Sequence, residues 1–278
     1  MIITEEHLFF ECGGMLQFAV IFLPEEKLQH SEGYVVCSPF AEEKKSSQRM
    51  LVDLARGLAS KGFPILLFDY YACGDSEGDF KDASLTTWIQ NASSARILLE
   101  KKASLRKVGF IGLRLGCYIA LSASKKLNGM PTTVFIEPVF DPKTYFKKIL
   151  RQKLMKELIT DGKTSSHRDT LIQQLTDNIS IDFDGYEIGS TFYNDLLRYK
   201  DQTADLKQHD IQTLLVHVTP TGKTSRNFQK IIAGGSPNEK LHFRMIKLDP
   251  FWERIDNPVY QPVIDEVTKF LMLENESS

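Results

Sequence analysis

The residues best placed for chemistry lie in Val108-Gly-Phe-Ile-Gly112-Leu113-Arg114-Leu115-Gly116, where an apolar strand pattern runs straight into a helical one. Glycines stand two positions either side of residue 114. A turn this tight pushes its central side chain up and out. Any side chain at the flanking positions would strike the strand or the helix, so both must be glycine. A serine or cysteine presented in this way is a nucleophile. Arg114 is not, because its guanidinium stays protonated at physiological pH and attacks no carbonyl.

This arrangement matches the nucleophile elbow of α/β-hydrolases except at its centre. Such enzymes need nucleophile, acid and histidine in that chain order. The acid position follows the strand pattern ending at Val218 and reads Thr219-Pro-Thr-Gly-Lys-Thr224, without a carboxylate. The histidine position follows the strand pattern ending near Leu248 and reads Asp249-Pro-Phe-Trp252-Glu-Arg254, without a histidine. All three positions fail together. Displaced nucleophiles to weigh are Ser38 at a strand end, Cys73 and Ser76 in a glycine-rich loop, and Cys117, which points away on the elbow helix. His217 and His242 lie on strand patterns and read as packed or surface residues.

Two roles for Arg114 stand open. One is an internal ion pair with Glu42, Glu43, Asp75 or Glu137, all at carboxyl ends of strands, since an unpaired buried charge costs several kcal/mol. The other is capture of a carboxylate or phosphate at a helix N-terminus. The backbone N–H groups of Leu115 and of the Phe40 loop would then serve as donors. Trp252 is either core or a wall of the pocket where a histidine would have stood.

The elements that position these residues alternate. A hairpin, His7–Glu11 and Leu16–Leu23 about Gly13-Gly14, comes first. Apolar strands follow at 34–37, 64–68, 107–111, 132–136, 212–218 and 241–248. Helices are expected at 46–60, 85–102, 115–127, 225–232 and 262–273. Short connections between strands and helices imply parallel strands with right-handed crossovers. The expected fold class is α/β: an α/β-hydrolase fold with a mostly parallel twisted sheet of about eight strands flanked by helices. Residues 1–140 and 208–273 form the core in this reading. Residues 141–207, polar, helix-like and without a strong strand, form a lid insertion, and 274–278 form a flexible tail. Tyr145, Phe146, Ile149, Leu150 and Leu154 read as the buried face of a lid helix. Lys143, Lys147, Lys148, Arg151 and Lys153 read as its wet face.

Composition narrows the function classes. Charged residues are 25% and the net charge is −2, so no global field draws the chain to nucleic acid. No stretch reaches the roughly 18 apolar residues of a membrane span. The start carries no signal-peptide pattern, so a cytoplasmic location is expected. Cys12, Cys37, Cys73 and Cys117 lack CxxC spacing and read as reduced thiols, with no metal site and no cofactor expected.

The stretch Pro39-Phe-Ala-Glu-Glu-Lys44, the loop Asp69 to Phe80 and Gly112 to Gly116 together resemble the exosortase A system-associated hydrolase 2 group. Members carry arginine at the elbow and a Gly-Cys-Gly-Asp-Ser-like loop, similar to Cys73-Gly-Asp-Ser76 here. Weaker likenesses lie at Glu137-Pro-Val139, 146–151, 185–187 and 250–252. The resemblance implies a place in exopolysaccharide production and protein sorting in Gram-negative bacteria, with a protein partner of that pathway possible. The group's activity is itself inferred from fold, so the resemblance implies a pathway more firmly than a reaction. It leaves two functions open. One is a non-catalytic binder of an acyl, carboxylate or phosphate ligand. The other is an esterase, thioesterase or acyltransferase with a displaced nucleophile.

Overall fold

The computed structural model describes residues 2–25, 30–125, 131–161, 167–207, 210–233, 240–254, 256 and 258–276. The chain opens on the hairpin β1 (Ile3–Cys12) and β2 (Met15–Pro24), turned by Gly13 and Gly14, both at positive φ. Strands β3 (Glu32–Cys37), β4 (Ile65–Phe68), β5 (Lys107–Leu113), β6 (Thr133–Ile136), β9 (Thr213–Val218) and β10 (Leu241–Ile246) complete an eight-stranded sheet. Its order is β1-β2-β4-β3-β5-β6-β9-β10. The first two strands run antiparallel to their neighbours and the rest are parallel.

The central strands are buried along their length, which is why they read as continuous apolar runs. Helices α1 (Ala41–Ala59) and α9 (Gln261–Glu276) cover one face. Helices α2 (Leu85–Lys102), α3 (Leu115–Ser124) and α8 (Arg226–Ala233) pack on the other. Ser84 caps α2 by accepting a hydrogen bond from the Thr87 N–H, as a serine before a helical run does.

Between β6 and β9 lie α4 (Pro142–Asp161), α5 (Arg168–Thr176), α6 (Ser190–Arg198) and α7 (Thr203–Lys207). A small antiparallel hairpin, β7 (Ile181–Phe183) with β8 (Tyr186–Ile188), interrupts them. Sequence periodicity passes over it because each strand has only three residues, too few to show alternation. The turn is built by Asp184 and Gly185, both at positive φ.

Several boundaries differ from expectation: β1 starts at Ile3 rather than His7, β3 at Glu32 rather than Tyr34, and β10 ends at Ile246 rather than Leu248. Helix α1 begins at Ala41, five residues before the predicted start, because its first turns are polar and apolar periodicity appears only at Met50. Carboxylates at Glu42 and Glu43 suit a helix N-terminus, so those residues are helical rather than loop. Helix α9 runs on to Glu276, past the predicted end at 273. Helix α3 ends at Ser124, and the rest of its predicted span, at 126–127, lies outside the described residues. Among the described residues no helix is long and apolar enough to cross a membrane.

Candidate functional site

Arg114 sits between β5 and α3 with φ 55° and ψ −120°. A left-handed φ at a residue with a long side chain is strained by about 1–3 kcal/mol and persists only where its surroundings enforce it. Here they do. A Cβ on Gly112 would lie 2.6 Å from the Cα of Cys117, and one on Gly116 would be driven into the Cys37 carbonyl. The Arg114 N–H donates to the Ile136 carbonyl, and its own carbonyl accepts from Cys117 and Val139. The sharp bend predicted from the glycine spacing is therefore present, with residue 114 at its apex.

Arg114 is only 7% exposed, and each of its three guanidinium nitrogens has an acceptor. Its Nε and Nη2 donate to Oε1 of Glu43 at 3.2 and 3.1 Å, and Nη1 donates to the Glu137 carbonyl at 3.4 Å. The other Glu43 oxygen accepts from the Tyr145 hydroxyl at 2.8 Å. Two rings flank the cation, Trp252 at 5.2 Å and Tyr145 at 5.7 Å from its carbon. Burial works against the charge on Arg114, but the Glu43 carboxylate, then Tyr145 and Glu137, more than offset it, so the guanidinium is held protonated more tightly than usual. Burial first and Glu43 second push the Tyr145 hydroxyl well above the ordinary phenol range.

The structure thus selects Glu43 from the four candidate partners. Glu42, one residue earlier on α1, pairs instead with Lys45 at 3.4 Å. Asp75 is exposed, its N–H donating to Asp69. Glu137, itself at φ 43°, turns its carboxylate to β9, accepting from the Val218 N–H at 2.9 Å and lying 2.7 Å from Nδ1 of His217. The Ser225 N–H donates to Nε2 of His217, which places the ring proton on Nδ1, toward Glu137. His217 is buried and stacked on Phe228, so both ring nitrogens and one face are occupied.

Among the described residues none of the displaced nucleophiles is assembled with a base. Ser76 accepts from the Phe18 N–H and donates to the Asp69 carbonyl, pinning its loop to β2. Asp69 itself pairs with Lys44. The Ser38 hydroxyl is buried with no partner among the described residues. Burial pushes the Cys73 and Cys37 thiols up to about 12, and the Cys117 thiol well above its ordinary value. A thiol so protonated is a poor nucleophile. His242 lies 2.8 Å from the Gln212 side chain, on the far edge strand.

A cavity of about 360 Å³ opens against Glu43, Tyr145 and Trp252, and neither Arg114 nor Glu137 is among the residues that line it. Phe40, Glu42, Glu43 and Trp252 line it, four of the residues singled out from sequence. Leu115 is buried at the start of α3, and neither its N–H nor that of Phe40 meets an acceptor among the described residues. Asp75 and Ser76 lie elsewhere, in the loop after β4. Trp252 has both roles considered for it, joining the core with Phe251 and walling the cavity while it flanks Arg114. From α4 come Tyr145, Ile149, Gln152 and Lys156, spaced by four, three and four residues along one helix face. That spacing was the available signal for a cavity wall. Lys153 also turns inward, pairing with Glu157 at 2.8 Å, so it does not belong to the wet face of α4.

No known family profile matches the chain, and no curated protein does. Solved structures do. Est1E from Butyrivibrio proteoclasticus, in a structure with ferulic acid bound, superposes with a TM-score of 0.70 at 17% identity, over 98% of this chain and 100% of that one. GrgF, an alpha/beta hydrolase from Penicillium sp. sh18, gives 0.67 at 12% identity, over 98% and 99%. A hypothetical protein from Pseudomonas aeruginosa gives 0.65 at 17%, over 98% and 94%. The chain has the α/β-hydrolase fold. In this α/β-hydrolase fold the elbow apex is a buried, paired cation, and an indole stands against it from the loop after β10.

Proposed function

We propose that this chain is a non-hydrolytic member of the α/β-hydrolase fold that holds a small acyl or aromatic ligand beneath a lid formed by residues 141–207. The observation that carries the reading is the closed pair of Arg114 with Glu43, roofed by Trp252 and Tyr145. On this reading a paired cation takes the place of an attacking oxygen and an indole that of a general base. The reading favours an acyl or aromatic group over a free anion for two reasons. The guanidinium fork is already filled by Glu43, and the cavity carries four carboxylates, Glu42, Glu43, Asp184 and Glu253, against two lysines. Phe40, Tyr145, Ile149, Phe183 and Trp252 supply its apolar wall. The likeness to the exosortase-associated group supports a setting in exopolysaccharide production.

The test is direct. Purified protein is assayed against simple esters and thioesters and treated with a fluorophosphonate probe. Neither turnover above buffer nor labelling is expected, while medium-chain N-acyl amides should quench tryptophan fluorescence and raise the melting temperature. Robust turnover that disappears in Arg114→Ala would overturn the reading.

A further inference from the structure

Helix α4 buries Tyr145, Phe146, Ile149 and Leu150, and this leaves its opposite face uncovered. Along that face the residue types change in order. Lys147, Lys148 and Arg151 come first, and all three are exposed. Met155, Leu158 and Ile159 follow, 50%, 45% and 80% exposed. At 100° per residue these six positions fall within one side of the helix. Lys147, Lys148 and Arg151 have no carboxylate within ion-pair distance among the described residues, whereas Lys153 and Lys156 are taken by Glu157 and Asp184. From 142 to 160 the only acidic residue is Glu157, and it is turned inward.

We propose that this face docks on an anionic phospholipid bilayer. The helix has the two parts such docking needs: unpaired long-chain cations for the headgroups and, one to two turns on, bare aliphatic side chains for the acyl boundary. Charge complementarity selects the occupant. Three unpaired cations repel a second copy of the same face, and the exposed Leu158 and Ile159 suit a deformable surface. Gln152 and Lys156 line both the groove along this face and the cavity described above, so docking sets the cavity mouth beside the lipid.

The experiment is co-flotation of the full chain with vesicles of pure phosphatidylcholine and of phosphatidylcholine with 30% phosphatidylglycerol, a composition chosen as roughly that of an anionic leaflet. Binding is expected only to the anionic vesicles and should collapse at about 1 M salt, where the Debye length shrinks to about 3 Å. The variant K147E/K148E/R151E should lower partitioning on the order of a hundredfold, at several-fold for each basic residue removed. Met155→Asp with Ile159→Asp should abolish it while circular dichroism and melting remain those of the parent. Absence of binding to anionic vesicles, or equal binding by parent and both variants, overturns the proposal. So does a shift from dimer to monomer in the aspartate variant without any vesicle binding by the parent, which would make the face a contact between copies.

Discussion

Replacing Arg114 with methionine tests the central geometry. The substitution keeps a long, flexible side chain at the strained apex but removes the charge, leaving the partly buried Glu43 carboxylate with only the Tyr145 hydroxyl as partner among the described residues. Breaking a buried pair from one side costs about 3–5 kcal/mol, because the remaining charge is uncompensated. Loss of the two ring contacts adds about 0.5–2 kcal/mol each. For a domain of this size each kcal/mol lowers the melting temperature by about 2–4 °C, so a fall on the order of 10 °C is expected. Glu43→Met should cost a similar amount, since it strands the guanidinium. The double variant should recover much of the loss, because an apolar pair of like volume often matches or exceeds a buried ion pair. Urea unfolding of parent, both single variants and the double variant closes the cycle. The coupling should reach about 2–3 kcal/mol, the upper range for residues in contact. If Arg114→Met lies within about 1 kcal/mol of the parent, or the single losses add to within about 0.5 kcal/mol, the pair is not what holds this site and the reasoning fails.

Three further outcomes follow from the same structure. Gly116→Ala should give no folded protein, because its Cβ would be driven into the Cys37 carbonyl; a native circular dichroism spectrum would contradict the packing. Arg114→Ser should show no esterase burst with p-nitrophenyl acetate, since Trp252 rather than an imidazole faces the elbow and both nitrogens of His217 are engaged; a stoichiometric acyl-enzyme would refute this. The Cys37 thiol, fully buried and pushed up to about 12, should resist iodoacetamide at pH 8 and react only in denaturant, as peptide mapping would show. Its contribution to stability is fully present below its ordinary value of 9.0 and should be lost as pH climbs from there toward 12.

Much of this molecule was legible in the residue order because its determinants are local. Glycines at 112 and 116 imply a bend whatever surrounds them, since the obstacle is the adjoining strand and helix. The apolar runs of β3 to β6 and β9 mark buried parallel strands, and their alternation with helices implies the crossovers. The triad vacancies also show directly in the chain, because nucleophile, acid and base occupy known places after known strands. Tertiary structure alone decided which carboxylate answers Arg114. Glu43 lies 71 positions away, and its reach depends on α1 beginning at Ala41, which turns Glu43 inward and Glu42 toward Lys45. The Tyr145 hydroxyl, 102 positions from Glu43, and the Trp252 ring complete the enclosure from two further elements. Such contacts obey no sequence period: they exist because separate strand ends converge on one rim, where a buried cation must find whichever anion the fold brings within reach.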